Sequence, residues 1–166
     1  MVPEAPPVPA DCHLLVIGAG DPRRGDEGVG EWVVQQLRAP LAARGTALHL
    51  EVVPLELFLL WSEESLVLIV DAVLSGAEPG TVHRFDARQG PLPVRVFRSS
   101  RQGLGVAQAV GLARALGRLP AQLEVWGVEG RCFEAQPGLS SPVARAAEEL
   151  VGLALAWIDR ARPLAE

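Results

Sequence analysis

Apolar positions change their spacing repeatedly along the chain, and each spacing predicts a different element. Residues 13–18 (HLLVIG) form a nearly continuous apolar run ending in glycine-rich sequence, the pattern of a strand buried on both faces. After a loop over 19–27, residues 28–39 carry Val29, Trp32, Val33 and Leu37 at mostly helical intervals, with Pro40 placed to end or kink the helix. Residues 47–53 alternate as a second strand, 55–62 read as a short helix, and 66–71 (LVLIVD) as another buried strand. The Glu78-Pro79-Gly80 turn introduces a strand over 81–86, and 94–97 reads as a further short one. Residues 104–116 have helical periodicity closed by Gly117 and Pro120, and 123–127 form the last strand. Ser141 as N-cap and Pro142 as first helical residue open a final helix over 142–160.

Apolar strands alternating with helices imply an α/β fold: a three-layer α/β/α sandwich around a mostly parallel sheet of about five strands. The chain has 166 residues, 49% of them hydrophobic and 21% charged, which suits one domain over 11–166. Residues 1–10, with four prolines, read as an extended or disordered tail without the basic and apolar regions of a secretory signal. No apolar run approaches the ~20 residues needed to cross a bilayer. Fifteen basic residues, every one arginine, against twenty acidic ones give a net charge of −5, which speaks against a nucleic-acid footprint. The cysteines, Cys12 and Cys132, fall a predicted strand length apart, too far to bridge, and two free thiols suit a reducing, cytoplasmic compartment.

Parallel sheets of this kind bind ligands beyond the carboxyl ends of their strands, so the loops there are where chemistry is expected. The first loop, Gly18-Ala19-Gly20 onward, has Arg23 where a dinucleotide fingerprint needs its third glycine, which makes a nucleotide site a poor reading. It offers instead two adjacent carboxylates, Asp26 and Glu27, just before a helix. Asp26 could serve simply as a helix N-cap, with Glu27 favoured by the dipole. Asp71 follows five apolar residues; it reads either as a cap for the amides of the next loop or as an oxygen ligand or acid/base group facing Asp26 and Glu27. Glu129 adds a carboxylate at the same edge, and Ser99-Ser100-Arg101-Gln102 leads into a helix there.

In this order the pieces resemble the hydrogenase maturation protease family, the endopeptidases that trim the C-terminus of nickel-iron hydrogenase large subunits. The resemblance is collinear: the glycine-rich loop with its acidic pair and Gly28-Val29-Gly30, then Val70-Asp71-Ala72-Val73 and Pro79-Gly80-Thr81-Val82. It continues through Gly103-Leu104-Gly105, Trp126-Gly127-Val128-Glu129-Gly130 and Leu139-Ser140-Ser141-Pro142-Val143. It implies a phosphorylase/hydrolase-like sandwich and a nickel site of two carboxylates and a histidine, the nickel arriving in the large-subunit precursor. On that basis Glu27 and Asp71 hold the metal and assist hydrolysis, in an aspartic-type or metal-dependent enzyme. The family's histidine precedes the Gly-Leu-Gly that opens a helix, and here that place holds Gln102, with Arg101 before it; Asp21 stands where the family usually has Asn. A neutral amide is a weaker nickel donor than imidazole, and a guanidinium cannot ligate a cation but can neutralise carboxylates. Of the residues that could substitute, His13 and His49 lie in or at the start of predicted strands, His83 reads as packing, and Cys132 lies nearer the right edge. Two activities follow: an endopeptidase with metal supplied by its substrate, or a non-catalytic binding or assembly factor with Arg101 neutralising a crevice of Asp26, Glu27, Asp71 and Glu129 and no metal at all. A different hydrolase on the same scaffold is a weaker third. A monomer is compatible with the pattern.

Overall fold

The computed structural model describes residues 14–43, 61–63, 65–97 and 105–161. The 1–10 tail, the 47–53 strand, most of the 55–62 helix, Cys12, His13, His49, Arg101 and Gln102 lie outside the described residues.

Four described strands form one mixed sheet: β1 (Leu14–Gly18), β2 (Leu66–Val73), β3 (Val82–Asp86) and β4 (Gln122–Glu129). Their order is β1-β2-β4-β3. β1, β2 and β4 run parallel, and β3 pairs antiparallel with β4. The expected strand over 94–97 is corrected: Phe97 makes only an isolated antiparallel bridge to Val73, because the Val96 amide closes a turn on the Pro93 carbonyl at 3.1 Å. β2 also runs past its expected end at Asp71 to Val73, so Asp71 lies inside the ladder, opposite Gly127.

Strand alternation sorts the core into two faces. Leu15, Ile17, Val67, Ile69, Val73, Leu123 and Val125 pack against α2 (Val106–Ala115) together with Trp61, Ala87, Leu92 and Phe97. Val16, Leu68, Val70, Ala72, Trp126 and Val128 pack against α1 (Val29–Ala43) and α3 (Ser141–Ala161). The three layers expected from the sequence are thus present, each helix burying one apolar stripe; α1 uses Val29, Val33, Val34, Leu37 and Leu41. α1 continues beyond Pro40 for another turn, and the amide hydrogen that proline lacks would have met the carbonyl of Gln36 on the exposed side, where water can reach it. Gly30, in the first turn of α1, meets the strand ends so closely that a side-chain carbon there would run into the Val70 and Ala19 carbonyls. No helix among the described residues is long and apolar enough to cross a membrane.

Candidate active site

Between β1 and α1 the chain reverses through Gly20, whose φ of +107° is one that L side chains rarely adopt. A side-chain carbon on Gly20 would overlap the Glu27 carbonyl and stand 3.5 Å from Asp71 Oδ1. Glycine at this point therefore lets the loop, the following 3₁₀ turn (Gly25–Gly28) and the end of β2 converge.

Convergence places Glu27 close enough to Asp71 for the two charges to interact. Asp71 is only 7% exposed, and its Oδ1 accepts the Ala72 amide at 2.8 Å. Burial is the largest influence on its carboxyl and raises it; the Ala72 hydrogen bond opposes, the Glu27 charge adds, and the group is pushed up to about 7. An acid poised near neutrality can hold or release a proton under working conditions, and two adjacent carboxylates are hard donors that suit a divalent cation. Among the described residues no group of three or more His, Cys, Asp or Glu side chains is arranged to hold a metal, so this pair is the donor set they offer. Glu27 also has a basic neighbour: Arg24 Nε lies 3.5 Å from Glu27 Oε1, and its Nη2 donates to the Phe133 carbonyl at 3.3 Å. Arg24 was not among the residues the sequence singled out, although its place three positions before Glu27 in one helical turn is a readable signal.

Asp26, adjacent in sequence, does something else. Its carboxylate is fully buried and accepts four hydrogen bonds: from the Arg131, Cys132 and Ser140 amides at 2.7, 2.9 and 2.7 Å and from Ser140 Oγ at 2.8 Å. The expectation that it caps its own helix is corrected: Arg24 is the N-cap residue, without a side-chain cap, and Asp26 instead fastens the turn to the loop between β4 and α3. Glu129 is likewise fully buried two rungs beyond Asp71, accepting the Ser75 and Gly76 amides at 2.8 and 3.0 Å and Ser75 Oγ at 2.8 Å. His83 Nε2 lies 3.2 Å from Glu129 Oε2, so this histidine faces Glu129. The Val73 methyls occupy the place a Gly127 side chain would take, on the rung that joins Asp71 to His83. Cys132 Sγ accepts Gln136 Nε2 at 3.3 Å. The structure thus brings Glu27 and Asp71 together and puts Asp26 and Glu129 to work in the flanking loops.

A family profile described as hydrogenase maturation protease (HycI) matches residues 46–157. Among curated proteins no match is found. Among solved structures, the hydrogenase maturating endopeptidase HybD from E. coli is similar over 89% of this chain and 93% of its own, at 23% identity and a TM-score of 0.73. An E. coli endopeptidase solved in solution is similar over 87% and 90%, at 25% identity and a TM-score of 0.73. The nickel-iron hydrogenase maturation protease HybD from Thermococcus kodakarensis is similar over 87% and 98%, at 20% identity and a TM-score of 0.58. With two thirds of its length matched by the profile and its fold shared, the chain belongs to the hydrogenase maturation protease family.

Proposed function

We propose that this protein is a cytoplasmic endopeptidase that removes the C-terminal extension of a nickel-iron hydrogenase large-subunit precursor after metal insertion. The observation that carries the reading is the pairing of Glu27 with a buried Asp71 poised near neutrality, at the carboxyl end of the parallel strands. In this reading nickel belongs to the substrate, and Glu27 and Asp71 hold it beside the scissile bond. Nickel there would polarise the peptide carbonyl, and one of the two carboxylates takes the proton of the attacking water and returns it to the departing amine.

The test is to mix the protein with nickel-loaded and metal-free precursor and follow the extension by intact mass. Wild type should cut only the loaded precursor, and Glu27→Gln and Asp71→Asn should each lose about 100-fold or more in rate. Cleavage at the wild-type rate by either variant would remove that residue from the mechanism. One observation favours a second reading: Gln102 stands at the place of the family's histidine, and a guanidinium already accompanies Glu27. A wild-type protein that binds the loaded precursor without cutting it would make the chain a non-catalytic assembly factor.

A further inference from the structure

Arg24 is held at both ends of its guanidinium, by Glu27 on one side and the Phe133 carbonyl on the other. Its side chain is 27% exposed and that of Glu27 19%, so the pair sits in the wall of the site rather than out in solvent. Gly20 brings the Glu27 backbone and the Asp71 carboxyl to one place, so one cation and two carboxyls share the site. A divalent cation held by Glu27 and Asp71 would sit a few ångströms from that guanidinium, with like charges facing each other in a partly desolvated place. The two cations therefore compete for one carboxylate.

We propose that Arg24 is the resident counter-ion of Glu27, displaced when a metal enters, and that it thereby sets the site's selectivity against free divalent ions. This rests on the proposed role of Glu27 as a metal-holding residue. A metal ion from solution must overcome the guanidinium with its own charge alone. A metal already seated in a precursor arrives with the docking contacts of a whole protein, which offset the displacement. Arg24 in this account is a specificity-determining residue and transfers no proton.

The experiment uses cadmium ion as the probe, titrated calorimetrically into wild type, Arg24→Gln, Arg24→Lys and Glu27→Gln, each checked for folding by circular dichroism. Arg24→Gln should bind cadmium about tenfold more tightly than wild type, Arg24→Lys should stay within about threefold because it keeps the charge, and Glu27→Gln should lose binding. A second measurement needs no variant to fold: the Nε–H resonance of Arg24 in wild type should shift as cadmium is added. Cadmium binding that depends on Glu27 but is equal in Arg24→Gln and wild type, with an unmoved Nε–H signal, would overturn the displacement while leaving the proposed function standing. Binding that survives Glu27→Gln would remove Glu27 as a metal-holding residue and overturn both; no binding to any form would overturn the selectivity role, because removing Arg24 would then not admit free metal.

Discussion

Asp71 is kept where its charge is poorly tolerated, and the thermodynamic sign of that arrangement can be worked out. A carboxyl raised from 3.8 in the unfolded chain to about 7 in the fold binds more protons when folded, so stability falls as pH rises through that interval. Asp71→Asn, which can still accept the Ala72 amide, should therefore stabilise the metal-free protein at pH 8 by roughly 1–3 kcal/mol and leave it little changed near pH 4. Denaturant midpoints at the two pH values check this; a variant less stable than wild type at pH 8 would show that the charged form is not opposed. The sequence named Asp71 and Glu27 by their place at strand and helix ends, but two adjacent carboxylates carry no label saying which one turns inward to a loop. Asp26 is the one consumed by hydrogen bonds, because the donors that claim it come from more than 100 residues away. Asp26→Ala would remove the acceptor of three loop amides and should cost about 1–3 kcal/mol, read as a lowered denaturation midpoint.

At the scale of elements, Glu129 shows how β4 holds the segment that follows β2. Burial alone would raise its carboxyl, but the hydrogen bonds from the Ser75 side chain, the Ser75 and Gly76 amides and His83 outweigh this and hold it below its usual 4.5. A depressed acid contributes stability above its unfolded value and loses it as pH falls through the folded one. Glu129→Gln should thus be less stable than wild type by about 1–2 kcal/mol at pH 7, with the difference closing as pH drops below 4.5. Thermal unfolding at pH 7 and pH 3.5 gives both numbers, and a gap that persists at pH 3.5 would point to shape rather than charge. Element existence was readable because each apolar stripe kept one period over several turns or rungs. Ends were less so: the length of β2 is set by its partner β4, and the fate of 94–97 by a proline turn, neither of which a local pattern of apolar residues encodes.

Over the whole molecule, the three-layer order follows from strand alternation: even-numbered β2 residues face α1 and α3, odd-numbered ones face α2, and a carboxylate at an odd position near the carboxyl end enters the α2 side beside the first loop. What joins the layers was not readable, because it depends on polar side chains meeting across elements. Glu124 on β4 accepts the indole hydrogens of both Trp126 and Trp157 at 2.9 and 3.0 Å and the Arg84 guanidinium at 3.3 Å, while Arg84 lies over the Trp126 ring at 4.6 Å. One carboxylate therefore ties the sheet to α3 and anchors two of the chain's four tryptophans. This gives the molecule a built-in optical gauge: both indoles sit in a dry, charged setting, so tryptophan emission should be blue-shifted when α3 is docked and move to the red as soon as it lifts. Trp157→Phe should cost about 1–2 kcal/mol and reduce the amplitude of that change without abolishing it, since Trp126 remains to report. Fluorescence followed through a denaturant titration, set beside circular dichroism, then shows whether the long helix leaves together with the sheet or before it.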